Sequence, residues 1–213
     1  MKSIFINLIM VICISSCSVN SSQVDVDQLL KDEDYLGAYY AYKSMIKDGD
    51  NVRGFFGIGG LVDGRKLPQD ILNKEKSSLY YFCQGALRGH DISQFIIGLN
   101  YSLAKDVPYD INQAILWYKL SANQGLLQSQ YRLGYTYLLG MEVEKDLKEA
   151  LFWFALSEAE DSKISEITSQ LNEEEINDVI AKVEVWKPVA RVDSIPSNVD
   201  LSIRPDLSIC KFE

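Results

Sequence analysis

Side chains able to carry chemistry are few in this sequence, and poorly spaced for it. There is one histidine, His90, directly after Gly89. One imidazole with no Cys-x-x-Cys pair nearby cannot assemble the usual four-ligand zinc site. A serine or cysteine nucleophile needing an imidazole base could draw only on that residue, so His90 reads as a solvated turn residue. The acid clusters Asp32-Glu33-Asp34 and Asp48-Gly49-Asp50-Asn51 lack the calcium-loop order of acids, glycine and terminal glutamate; they read as helix termini. Gly57-Ile58-Gly59-Gly60, followed by Gly64-Arg65-Lys66, suggests a phosphate loop. Its third fingerprint glycine would fall on Val62 and no strand precedes it, so a loose helix end is the better reading. The 30 acidic residues allow many acid–base pairs and none stands out. No catalytic residue, metal or cofactor is expected.

Cysteine is the remaining reactive type, with four copies: Cys13, Cys17, Cys83 and Cys210. After Met1-Lys2, residues 4–14 are apolar except for Asn7 and Cys13. Crossing a bilayer takes about 20 apolar residues, so this run fits a secretory leader instead. The segment Ile14-Ser15-Ser16-Cys17 then resembles a bacterial lipobox: an aliphatic residue, two small residues and a cysteine. That resemblance implies removal of residues 1–16 and a lipid (diacylglycerol and palmitate-type) anchor on Cys17. With Ser18 rather than aspartate next, it also implies the periplasmic face of a Gram-negative outer membrane. A plain signal peptide with an unrelated cysteine is the alternative. Residues 17–23 would form a polar tether, and loss of Lys2 takes the net charge from −9 to −10.

The elements that must position everything else are repeats. Ser129-Gln130-Tyr131 aligns with Ser93-Gln94-Phe95 at an offset of 36 residues. In that register Gly134 meets Gly98, Tyr137 meets Tyr101, Asp146 meets Asp110, Ala150 meets Ala114, Trp153 meets Trp117 and Phe154 meets Tyr118. A worn copy lies upstream, with Tyr81-Phe82 under Trp117-Tyr118. Its first half fits only after a four-residue insertion, which sets Leu67-Pro68-Gln69-Asp70 under Val107-Pro108-Tyr109-Asp110. Ala38, Tyr42, Ile46 and Gly49 form a half-copy. Each unit reads as two helices. Residues 93–104 form the first, and Pro108 breaks the chain. Asp110 with Gln113, and Asp146 with Glu149, read as capping boxes opening the second, which Gly125 stops.

The pattern aromatic-x-x-Gly-x-x-Tyr-x-x-Gly, then Val-x-x-Asp, then Ala-x-x-aromatic-aromatic, over residues 129–157, resembles the Sel-one-like repeat (SLR) family, relatives of tetratricopeptide repeats. The resemblance covers roughly residues 34–160 and implies an all-α fold, an α/α superhelical solenoid of antiparallel hairpins. It makes Gly98 and Gly134 close-approach positions and Trp117, Trp153, Tyr101 and Tyr137 packing residues. Two departures stand out: Ala104 replaces a glycine, and Ile58 stands where the worn copy should have one, so that copy is expected to pack irregularly. Some cysteine-rich members are linked with β-lactam binding, but this chain lacks their cysteine pair in each repeat.

The array would run over residues 24–188, beginning with one or two helices that hold Leu29, Leu30, Leu36 and Tyr40. It would close with a helix capped by Asn172 and Glu175, whose stripe is Ile176, Val179, Ile180 and Val183. Residues 189–213, interrupted by Pro196 and Pro205, read as an extended tail. Cys83 holds the slot of Lys119 and Ala155, which suggests an outward-facing position. A Cys83–Cys210 disulfide pinning the tail is expected over two free thiols. On the first helix of each repeat, Ile96, Leu99, Asn100, Leu103, Arg132, Tyr135, Thr136 and Leu139 fall opposite the core positions and are the candidate partner-binding residues, Arg132 and Tyr135 foremost.

Charge narrows the partner. With 21 Lys+Arg against 30 Asp+Glu, the chain carries −9 and a pI near 4.7, which argues against nucleic acid and anionic lipid. The expected function is non-enzymatic: a periplasmic lipoprotein binding another protein, in its sharper form an immunity protein against a basic secreted toxin. An envelope-assembly adaptor and a cell-wall-active or β-lactam-binding enzyme are the alternatives.

Overall fold

The computed structural model describes residues 24–140, 142–190 and 208–210. Cys17, the leader, the tether and most of the tail lie outside the described residues. All regular structure among the described residues is helical, and no described helix is long and apolar enough to cross a membrane. The helices group into two compact units, divided between Lys74 and Glu75.

The first unit holds α1 (Val26–Lys31), α2 (Tyr35–Asp48), α3 (Asn51–Asp63) and the short α4 (Gln69–Leu72). Asp25 caps α1, and Asp34 caps α2 by accepting from the Gly37 N–H at 2.9 Å; Gly49 ends α2 with φ +101°. The acid clusters are thus helix ends. The Gly57–Gly60 run is not a helix end but lies inside α3. Gly57 and, one turn earlier, Gly54 serve packing, because a Cβ at Gly57 would sit 2.2 Å from the Tyr42 ring and one at Gly54 would sit 2.5 Å from Ile46. Gly57 therefore supplies the close approach that Ile58 cannot, and Ile58 is buried in the core. The buried face of α1 and α2 is Val26, Ala38, Tyr39, Tyr42 and Met45, while Leu36 and Tyr40 are exposed.

The second unit begins with α5 (Ser78–Ala86). Its cap is Ser77, which accepts from the Tyr80 N–H, and not the aligned Asp70. The aligned Gln69 and Asp70 instead open the short α4, and the worn copy's two halves fall in different units. Two full hairpins follow: α6 (Asp91–Ser102) with α7 (Ile111–Asn123), and α8 (Leu127–Leu139) with α9 (Leu147–Leu156). Both are held by the expected glycines. A Cβ at Gly98 would lie 2.6 Å from the Tyr118 ring, and one at Gly134 would lie 2.8 Å from Phe154. Trp117, Trp153 and Tyr101 are buried and Tyr137 is half-buried.

Asp110 and Asp146 cap α7 and α9 through the N–H groups of Gln113 and Glu149. Glu149 does not complete a capping box, because its carboxylate accepts from the Trp153 indole at 3.1 Å. His90 is no idle turn residue: its Nδ1 accepts from the Ser93 N–H at 3.2 Å and caps α6. The Ser-Gln pairs that mark the register join successive hairpins. Gln94 Nε2 donates to the Ala86 carbonyl at 3.2 Å and Gln130 Nε2 to Ala122 at 3.1 Å. Each adds a second donor to a last-turn carbonyl that also accepts from the turn glycine, Gly89 on Ala86 and Gly125 on Ala122.

The unit closes with α10 (Asp161–Thr168), not anticipated from the sequence, and α11 (Glu173–Val185). Ile167 of α10 and Val179 of α11 are buried with Leu138, Leu151 and Phe154. The Asn172–Glu175 capping box is complete. Of the expected stripe, Ile180 points outward.

Candidate partner-binding groove

The eight proposed contact residues do not form one face. Leu103 is 64% exposed and Leu139 58%; Ile96, Leu99 and Thr136 are half-buried. Asn100 is no surface residue. It is 4% exposed, and its Nδ2 donates to the Ile96 carbonyl at 2.8 Å, so the helix's own backbone takes it inward.

Arg132 and Tyr135 do converge. With Leu127, Gln128 and Tyr131 of α8, Phe95 of α6 and the turn Ser157–Glu160, they line a groove of about 710 Å³. Tyr131 and Phe95, which mark the repeat register in the sequence, are also wall residues. The missed signal was the spacing 128, 131, 132, 135, which lies on one helical face. The turn 157–160 carries no such periodicity and comes to the groove only through tertiary packing.

The groove's centre is aromatic. Tyr131 and Tyr135 meet edge to face at 4.9 Å between ring centroids, and both stand edge-on to Phe154, at 5.6 and 5.1 Å. The Tyr131 hydroxyl donates to that of Tyr135 at 3.3 Å. Sharing this hydrogen bond holds the Tyr131 proton more tightly than usual, and the nearby Glu160 charge adds to the effect. Lys163 lies 5.8 Å above the Tyr135 ring while its ammonium pairs with Glu166 at 3.1 Å, which raises its own pKa. These aromatic anchors, half-wet and held by one another, are the residue types that dominate binding hot spots. Among the described residues no three metal-ligating side chains cluster.

Cys83 and Cys210 form a disulfide with Cα atoms 5.3 Å apart. Cys83 is fully buried, not exposed as its slot suggested, while Ala155 in the equivalent slot is exposed. The difference is the 3₁₀ turn Ser208–Cys210, which lies on α5. Earlier along the tail, the Val189 N–H donates to the Asn123 carbonyl at 2.9 Å, beside Pro188 at Gly125. The described tail thus steps back from the end of α7 to α5, and no described tail residue lines the groove.

The Sel1 repeat family model matches residues 92–126 and 127–161, one hairpin and its following turn each. Two solved structures resemble the chain. The first is a protective antigen present in uropathogenic Escherichia coli strains, which displays an SLR fold. It is 22% identical with a TM-score of 0.55, over 70% of this chain and 32% of that one. The second is a Sel1 repeat protein from Oxalobacter formigenes, 22% identical with a TM-score of 0.51, over 62% of this chain and 51% of that one. At such identity the likeness shows the fold alone, and this chain matches only about a third and a half of their lengths. No curated protein matches. Residues 92–161, about a third of the chain, thus match the Sel1 repeat.

Proposed function

We propose that this protein is a non-enzymatic periplasmic lipoprotein, anchored through Cys17, that docks a partner protein in the groove on α8. The observation that carries the docking is the Tyr131–Arg132–Tyr135 set. Three side chains of the types richest in binding energy converge on one hollow, in a scaffold otherwise occupied with packing. The sharper form is an immunity protein that neutralises a basic toxin, supported by the chain's net charge of −9 and by electrostatic steering of a basic partner.

The test is affinity capture of the full chain beside a Tyr131→Ser/Arg132→Glu variant and a control changed at exposed Ile180. A partner held by the parent and the control and lost by the groove variant is expected. A partner set indifferent to the groove substitutions defeats the docking site, and a resident envelope protein in place of a toxin turns the reading to an assembly adaptor. Fatty-acid labelling that persists in Cys17→Ala rules out the anchor.

A further inference from the structure

One end of the groove departs from the repeat with a chemical consequence. Between α5 and α7, buried Gln94 donates to Ala86 and accepts, through Oε1, from Gln124 Nε2 at 2.8 Å. The next copy repeats the first bond and not the second. Position 160, which is 36 beyond Gln124, is glutamate, and its carboxylate has no proton to give. Gln130 Oε1 is accordingly buried with no partner among the described residues.

The helix end differs as well. After α7 the chain turns at Gly125, φ +96°. Its counterpart is Asp161, and α9 instead stops at Leu156 with Glu158 in the left-handed region, φ +54°. The early turn makes residues 157–160 a wall of the groove, with Glu158 and Glu160 on the same hollow as Phe95, Tyr131 and Tyr135. Lys163 does not serve these carboxylates, since its ammonium lies on Glu166.

This wall carries two carboxylates, of which Glu160 takes one long bond from the Ser162 hydroxyl at 3.4 Å, and the Gln130 amide oxygen lacks a donor. The facing wall is aromatic. Rings that take an aliphatic stem, beside carboxylates that take its charge, complement a protonated side chain. Arg132, lining the same groove, disfavours a second cation there and so sets an orientation. We infer that the 157–160 end of the groove is a subsite for a lysine or arginine of the docked partner, its stem on Tyr131 and its charge on Glu158 and Glu160. This rests on the docking reading and adds the chemistry of the occupant.

Three acetylated, amidated tripeptides test it against the isotope-labelled full chain by NMR: Leu-Lys-Leu, Leu-norleucine-Leu and Leu-Glu-Leu. The lysine probe should shift the resonances of Tyr131, Glu158 and Glu160 with a Kd on the order of 1 mM, about tenfold tighter than the other two, and weaken with salt. Glu160→Gln separates the subsite from a structural role. The new amide can donate to Gln130 as Gln124 does to Gln94, so Tm should hold or rise while the lysine probe loses about tenfold in affinity. Glu158→Gly, which suits the backbone there, should also lower lysine binding without loss of Tm. Equal binding of the norleucine probe overturns the cation subsite and leaves groove docking intact. Shifts confined to another face, or none up to about 10 mM, overturn the subsite too. A captured partner indifferent to Tyr131 and Arg132 overturns the docking reading itself.

Discussion

The α6–α7 and α8–α9 hairpins share a register of 36 residues, and they differ in how completely their polar groups are paired. In the first, the Tyr118 hydroxyl bonds Ser102 at 2.8 Å. In the second, the same two positions are Phe154 and Leu138, both buried in one apolar cluster. A polar pair has been exchanged for an apolar pair, and neither leaves an orphan. The Gln94–Gln124 pair shows the other outcome: its counterpart, Gln130–Glu160, changes one member only and strands an acceptor. Replacing both partners is nearly neutral, whereas replacing one costs the desolvation of the other. The packed core shows the same outcome at Trp117, whose indole N–H is buried without a partner among the described residues, whereas Trp153 donates to Glu149, which stands where the first hairpin has Gln113.

The sharpest test of a shared core is its largest side chains. Trp117→Ala and Trp153→Ala should each cost about 3–5 kcal/mol in denaturant unfolding. A cost near zero for Trp153 would mean that the second hairpin is not built like the first. The tail bears on one end of the unit alone. Losing the disulfide through Cys210→Ser should cost about 2–4 kcal/mol and raise hydrogen exchange in α5 while α8 and α9 keep their protection. Intact mass of the unaltered chain should rise by two hydrogens on reduction, and a chain with two free thiols before reduction contradicts the bridge.

Alanine at the two close approaches ranks them. Gly98→Ala and Gly134→Ala should each cost about 1–3 kcal/mol, Gly98 the more because displacing the Tyr118 ring also strains its bond to Ser102. A larger cost at Gly134, read from thermal unfolding, would reverse that order. The smallest effect should come from copying one hairpin onto the other. Ser102→Leu with Tyr118→Phe should stay within about 1 kcal/mol of the parent at neutral pH.

The same exchange should change the response to alkali. Burial pushes the Tyr118 pKa above its usual 10.0, so the folded state keeps a proton that the unfolded chain loses. That contribution is whole below pH 10 and is lost as pH climbs through the folded value. The double variant should lose less stability between neutral and alkaline pH, and an unchanged profile would place the sensitivity elsewhere.

Much of the second unit was legible because its determinants are local or repeat in register. Asp110, Asp146 and Asn172 announce helix starts through their own side chains, and Gly98 and Gly134 announce close approach by lacking one. The groove was half-legible. Arg132 and Tyr135 stand out on a helical wheel, but Tyr131 reads from the sequence only as a register residue aligned with Phe95. Asn100 was misplaced because a wheel cannot show that an amide will turn back onto its own helix.

By its sequence alone, this chain is committed to helical hairpins: glycine against aromatic, with an aspartate cap opening the second helix of each full hairpin, leaves the backbone no comparable way to bury its rings. Partnership between distant segments was decided only in three dimensions. Gly57 serves Tyr42 because α3 lies against α2. Cys83 is covered because a turn 127 residues later lies on α5. Glu158 and Glu160 face the tyrosines because α9 ends early. Periodicity reports which face of a helix is apolar; what covers that face depends on contacts that no local pattern encodes.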